Sequence, residues 1–277
     1  MNQKLVLSFK ITNWCNLHCA HCCERSNIKQ PLNFMPLAKM ANYLSQSIKM
    51  FLPPDQLLTI GGGEAMAPYM NNDYNYIPLA LDLIYTHKYV PTIKTNGTWG
   101  NNDKLRKKIL SDIALKAYKY EKLVTLDISI DEFHNNQNAV AKIIRDTLTS
   151  QELGFAIRIC LVGFNTKQSK TAQQTLKQKL GQYGFSINST YVGDWIIESP
   201  SGDGIYMFND FNTPIFNQGR AQDNNVFTST DTPNGNDGYN CLQIDNNDYA
   251  ILNYKYREPI GNRPLNAVLY SLIQKAH

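Results

Sequence analysis

"TNWCNLHCAHCC" (12–23) sets Cys15, Cys19 and Cys22 at the spacing CxxxCxxC, with Cys23 directly behind. The chain has six cysteines, at 15, 19, 22, 23, 160 and 241, and four of them crowd into this one short loop. In a reducing compartment such a cluster points to metal or redox chemistry rather than to a disulfide framework. A structural zinc site closes a tetrahedron with four protein ligands, and the fourth would have to be Cys23, His18 or His21. Cys23 is awkward there, because adjacent residues rarely aim at one ion. An iron-sulfur cube needs one ligand per iron, so three cysteines leave one iron open to bind something else.

Working outward, "KLVLSFKIT" (4–12) ahead of the loop reads as a strand, and Leu37, Met40, Ala41, Leu44, Ile48 and Phe51 behind it recur at helical spacing. The alternation then repeats. Strands are expected at 57–60, 90–95, 123–131, 156–164 and 186–192, and helices near 76–88, 105–117, 140–148 and 167–182. These six βα-like units predict an α/β fold, a partial (β/α)6 barrel of parallel strands with outer helices. Cys15, then Gly61 to Glu64, then Thr95 to Gly97, then Asp131 to His134 each follow a strand, on the face where barrels place their chemistry. Residues 199–240 are rich in Asn, Asp, Gly, Ser, Thr and Pro and read as a loop or lid. A hairpin (242–254) and a helix (265–275) close the chain. The expected domains are 1–195, the partial barrel, and 196–277, the lid with a small C-terminal appendage.

Composition sets the surroundings. Of 277 residues, 43% are hydrophobic and 18% charged, and 27 basic against 23 acidic residues leave +4, too slight a balance to argue for nucleic acid. The start, "MNQKLVLSFKITNWC", has no secretory signature and no stretch approaches membrane-spanning length, so a cytoplasmic protein is expected, with no membrane partner.

Four motifs together resemble the radical S-adenosylmethionine (radical SAM) enzymes: "CNLHCAHC" their cluster loop, "GGGEAM" their glycine-rich second-strand motif, "TNG" the third and "ISIDEFH" the fourth, over residues 4–193. The resemblance implies one [4Fe-4S] cluster on Cys15, Cys19 and Cys22, with S-adenosylmethionine on the fourth iron. It implies SAM contacts from Gly62, Gly63 and Glu64 to the methionyl group, from His21 to adenine, from Asn96, and from Ser129 and Asp131 to ribose or the methionyl end. Arg158 is a candidate carboxylate partner. A glycine at 62 or 63 is expected to leave the methionyl group its path, so that Gly63→Val would block SAM but still form the cluster.

"HCC", "NGTWG" and "DEFH" are more closely similar to radical SAM enzymes that modify ribosomal peptides. The tail, with Cys241, "IDNNDYAILN" and "PIGNRPLNAVL" and with "GRA" (219–221) upstream, resembles their C-terminal auxiliary-cluster module in degenerate form. Asn253 and Tyr254 stand where that module has cysteines, so one cluster is expected rather than two, and a redox-neutral reaction. Cys241 is then either a packed thiol or a lone hydrogen-atom donor. The implied partners are an electron donor such as flavodoxin or ferredoxin and a peptide or small-molecule substrate. Two other readings stay open: a zinc-binding structural protein, and a barrel that binds SAM and a cluster without turnover.

Overall fold

The computed structural model describes residues 4–48, 57–164, 166–189, 195–200, 204–213, 223–224, 239–252 and 256–276. Two compact units divide the chain, one of Met1–Thr92 with Ile215–His277 and the other of Ile93–Pro214.

In the first unit, β1 (Lys4–Thr12) and β2 (Leu57–Gly62) pair in parallel, with Leu7 opposite Leu58 and Phe9 opposite Ile60. Leu7, Phe9 and Ile11 are buried on one face of β1, and Ser8, Lys10 and Thr12 alternate onto the other, the period of two that a strand imposes. After the cysteine loop, α1 (Leu37–Ser47) buries Met40, Tyr43, Leu44 and Ser47, one helical stripe. Behind β2 come the short α2 (Ala67–Met70) and α3 (Tyr76–Thr86). On its other edge β1 pairs in parallel with β9 (Tyr239–Asp245), which continues antiparallel into β10 (Tyr249–Leu252) and β11 (Tyr256–Pro259). Leu242 and Ile244 are as buried as Leu7 and Phe9. The expected C-terminal hairpin and helix are therefore present, but the strand that leads into them extends the sheet of β1. The closing helix, α8 (Leu265–Ala276), buries Leu265, Val268 and Leu272.

β3 (Val90–Thr95) runs across the boundary into the second unit. There a 3-10 turn (Thr98–Asn101) leads to α4 (Asp103–Tyr120), whose first turn is capped by the Asn102 side chain accepting from Leu105 N–H, 3.0 Å. β4 (Val124–Ser129) and β5 (Ile157–Phe164) are parallel, with α5 (Gln137–Thr149) and α6 (Gln151–Ala156) between them and α7 (Lys167–Gln182) after β5.

One strand differs from expectation. The sequence predicts 186–192 as the sixth parallel strand. Instead β6 (Ser186–Ser189) is an antiparallel edge, paired to β7 (Trp195–Glu198), which turns back as β8 (Gly204–Thr213), and it is β8 that lies parallel to β5. Ten residues of the expected 199–240 loop are thus a strand. In the rest of that segment, residues 201–203, 214–222 and 225–238 lie outside the described residues, and so do "GRA" (219–221), Asn253 and Tyr254. The class is the expected α/β one, a mainly parallel sheet with helices. Among the described residues no helix is long and apolar enough to cross a membrane.

Candidate functional site

The cysteine loop leaves β1 at Thr12. Trp14 N–H donates to the Thr12 hydroxyl at 3.1 Å, and Cys15 N–H to the Asn27 carbonyl at 3.2 Å, so the loop is pinned at its start and returns beside itself. Cys22 N–H donates to the Cys19 carbonyl, 3.2 Å, a tight turn that draws the second and third cysteines together. Cys15 is buried, Cys19 and Cys22 are half-buried and Cys23 is exposed. Burial, then the Glu64 carboxylate, push the Cys15 thiol up to about 12, with the nearby Cys19 and Cys22 adding to the rise and the Leu17 N–H opposing it. Cys19, Cys22 and the Glu64 carboxylate thus all lie near the Cys15 sulfur. Three soft donors on one loop fit an iron-sulfur cluster, and a bound cation would supply what the buried Cys15 thiol lacks in order to ionise.

The glycine turn at the end of β2 lies on that loop's entry. Gly63 N–H donates to the Thr12 carbonyl and Glu64 N–H to the Trp14 carbonyl, both at 2.9 Å. Gly62 has φ +122, a conformation glycine tolerates, and a β-carbon on it would stand 2.5 Å from the Thr12 carbonyl oxygen. On Gly63 a β-carbon would stand 1.9 Å from the Trp14 oxygen. This corrects the expectation for these glycines: what a side chain there strikes first is the chain's own backbone just before Cys15. Glu64 is fully buried, and its carboxylate accepts from Met66 N–H at 2.8 Å, bracing the turn into α2. His21 is half-buried within the loop.

The second unit holds the other candidates. Asn96 closes a turn after β3, its side-chain oxygen accepting from Thr98 N–H, 3.0 Å, and from the Thr98 hydroxyl, 2.7 Å. Gly97 sits at φ +68, and a β-carbon on it would stand 2.8 Å from the Ile128 side chain. The Asn136 amide donates to the carbonyls of Asn96 and Ser129 and so ties the ends of β3 and β4 together. Asp131 is buried and accepts from Phe133 N–H and from His134 Nδ1, each at 2.8 Å. Asp131 does not cap a helix, because α5 begins at Gln137 behind Asn136. His134, which sequence alone divides between surface residue and substrate contact, is a largely buried partner of that carboxylate. Ser129 falls on the less buried face of β4, two residues before Asp131.

Two candidates are placed elsewhere. Arg158 is exposed and opposite Thr125, whereas Ser129 is opposite Val162. Four strand residues separate the two positions, about 13 Å, so Arg158 belongs to the amino end of the sheet. Cys241 lies opposite Val6, six residues before the end of β1 and roughly 20 Å along the strand from where the cysteine loop begins. It is too far back to serve as a donor beside that loop. Sequence reasoning missed Asn136, Lys10 and Glu24. The last two form a mostly buried ion pair, and a lysine between Phe9 and Ile11 in the middle of β1 is its one visible sign.

No protein-family model and no curated protein sequence matches the chain. Solved structures do. Streptococcus suis SuiB bound to S-adenosylmethionine is 14% identical with a TM-score of 0.53, covering 96% of this chain and 65% of its own. The chain thus spans a little under two thirds of SuiB. Native anSMEcpe with bound AdoMet is 12% identical, TM-score 0.52, covering 96% of this chain and 80% of its own. Both were solved with S-adenosylmethionine bound, and theirs is the fold that this chain shares.

Proposed function

We propose that the chain is a radical SAM enzyme in which Cys15, Cys19 and Cys22 hold a single [4Fe-4S] cluster. The observation that carries the reading is the cysteine loop itself: three sulfur donors on one pinned loop, set at the end of β1 and seated on the glycine turn of β2. When bound, the cluster and SAM supply a 5′-deoxyadenosyl radical that takes a hydrogen atom from an organic substrate.

The chain's residues bind and orient. Backbone carbonyls of the Gly62–Gly63 turn offer acceptors to the SAM ammonium, and buried Glu64 keeps that turn fixed through Met66. His21 packs by adenine, and Ser129, Asp131 and the Asn96 turn take the ribose and methionyl polar groups. Asp131 arrives with its carboxylate already ordered by Phe133 and His134, which lowers the cost of immobilising it on binding. Arg158 carries no role here. A ribosomal peptide is the proposed substrate, and flavodoxin or ferredoxin the proposed reductant. With Cys241 the only cysteine of the tail, a redox-neutral conversion such as epimerisation or rearrangement is favoured over net oxidation.

Anaerobic reconstitution followed by iron counting and product analysis tests this. About four irons per chain, the content of one cube, and 5′-deoxyadenosine formed with a reductant are expected. A colourless protein that retains zinc, or a brown one that leaves SAM intact, would defeat it.

A further inference from the structure

The rim of the cysteine loop is held by residues from the far end of the sequence. Lys10 of β1 pairs with Glu24, two residues after Cys22, with side chains only 8% and 18% exposed. The second oxygen of Glu24 accepts from the Gln243 amide of β9, 3.2 Å. Asn13 donates to Asn246 at 3.1 Å. Asn224 donates to the Ala20 carbonyl at 3.1 Å, and Arg25 grips Asp223 with two bonds of 2.9 Å. Four points on the loop, at 13, 20, 24 and 25, are thus fastened from residues 223–246. Of these the Glu24 contact is the buried one, and the Arg25 pair is exposed and contributes little.

The Glu24 contact lines a cavity of about 390 Å³ shared by Lys10, Cys23, Glu24, Gln243, Asp245 and Arg257. Its charges are paired: Glu24 by Lys10, Asp245 by Arg257 and by the N–H groups of Asn247 and Tyr249 at 2.9 Å, and Arg25, which also lines it, by Asp223. The cavity is therefore a polar brace.

We propose that Glu24 is the positioning residue of the cysteine loop, fixed between Lys10 and Gln243, so that strand β9 of the C-terminal segment sets where Cys22 stands. A carboxylate held by a buried lysine and a buried amide has one orientation, and only two peptide units separate it from the Cys22 sulfur position. The proposal rests on Cys22 being a cluster ligand, but its first test does not need the cluster.

Hydrogen exchange is followed over residues 16–25 in the metal-free full chain, in Glu24→Ala, Gln243→Ala and the double variant. Each single change should speed exchange there at least tenfold while β4 amides are unaffected, and the double variant should be no faster than the faster single one. Arg257→Ala, which lines the same cavity but bonds Asp245 and stacks on Tyr249, should leave the loop as it is. Glu24→Gln, whose amide keeps one acceptor oxygen in place of two, should recover only part of the protection. Unchanged loop exchange in Gln243→Ala, or additive effects, would overturn the proposal. The second readout is the electron paramagnetic resonance signal of the reconstituted, reduced protein with SAM. At equal iron content Gln243→Ala should shift that signal, and an unshifted signal would reduce Glu24 to a structural contact and overturn the positioning role. If the wild type took up no iron, the functional reading would fail while the exchange result stood.

Discussion

Gly63 shows how a single missing carbon serves the site. Its α-carbon presses on the Trp14 peptide so closely that even Ala would have to push the strand exit aside. Gly63→Ala is therefore expected to lower iron uptake and SAM binding together, measured by iron content and calorimetry. Loss of SAM binding with full iron uptake would restore the simpler idea that the glycine only clears a path for the ligand. Gly181 makes the contrast: nothing lies within 4 Å of an added β-carbon, so Gly181→Ala should stabilise the protein by about 0.5–1 kcal/mol in a denaturant titration. At the cysteines, Cys22→Ala should abolish the cluster without rescue by Cys23, which lines the cavity with Lys10 and Gln243. Iron retained at wild-type level in Cys22→Ala would show that the ligand set is wrong.

Among elements, the last helix depends on one carboxylate. Glu258 of β11 accepts from Ser271, 2.6 Å, and Arg263, 3.1 Å, and pairs with Lys275, so α8 and the turn before it are fastened to the hairpin. Lys275, then Ser271, hold the Glu258 carboxyl down at about 2 against an ordinary 4.5. A lowered carboxyl stabilises the fold above its unfolded value and loses that contribution as pH falls from about 4.5 towards 2. Glu258→Gln should remove that part of the acid sensitivity, seen as a smaller loss of stability between pH 5 and pH 3 than in the wild type. Equal losses would assign the acid response to other groups.

The elements also show what could be read in advance. α1, α3, α4, α5 and α7 were legible because their buried residues recur at helical spacing, β1 to β4 because apolar runs end at motif residues, and β5 because buried and less buried residues alternate along it. β8 was not: Asn209, Asp210 and Asn212 gave it the composition of a loop, and only pairing with β5 makes it a strand. The motif residues themselves were legible, but their local work was not. That Asn96 and Asp131 spend side-chain bonds on their own turns depends on backbone geometry that spacing alone does not encode.

On the scale of the whole molecule, β1 is an interior strand only because β9 lies against it. Leu7 and Phe9 face buried partners on both sides, Leu58 and Ile60 from β2 and Leu242 and Ile244 from β9. Deleting 239–277 should open that edge of β1 and turn the protein into aggregates on size-exclusion chromatography, as an unpaired apolar edge invites. A monomeric truncated protein would show that β1 tolerates a free edge. No local pattern announces this pairing, since it joins strands from opposite ends of the chain.

That pairing also imposes an order of events on synthesis. Asn13 and Asn246 are 233 residues apart, an interval of roughly 10–50 s at ordinary rates of translation. Through that time the cysteine loop has left the ribosome while its brace has not been made. Cys19, Cys22 and Cys23 stand as neighbouring thiols on a slack segment, open to any passing oxidant. Delivery of the proposed cluster would thus be best timed after the last strands emerge, and a cell that translates this chain slowly lengthens the period in which its cysteines can be lost.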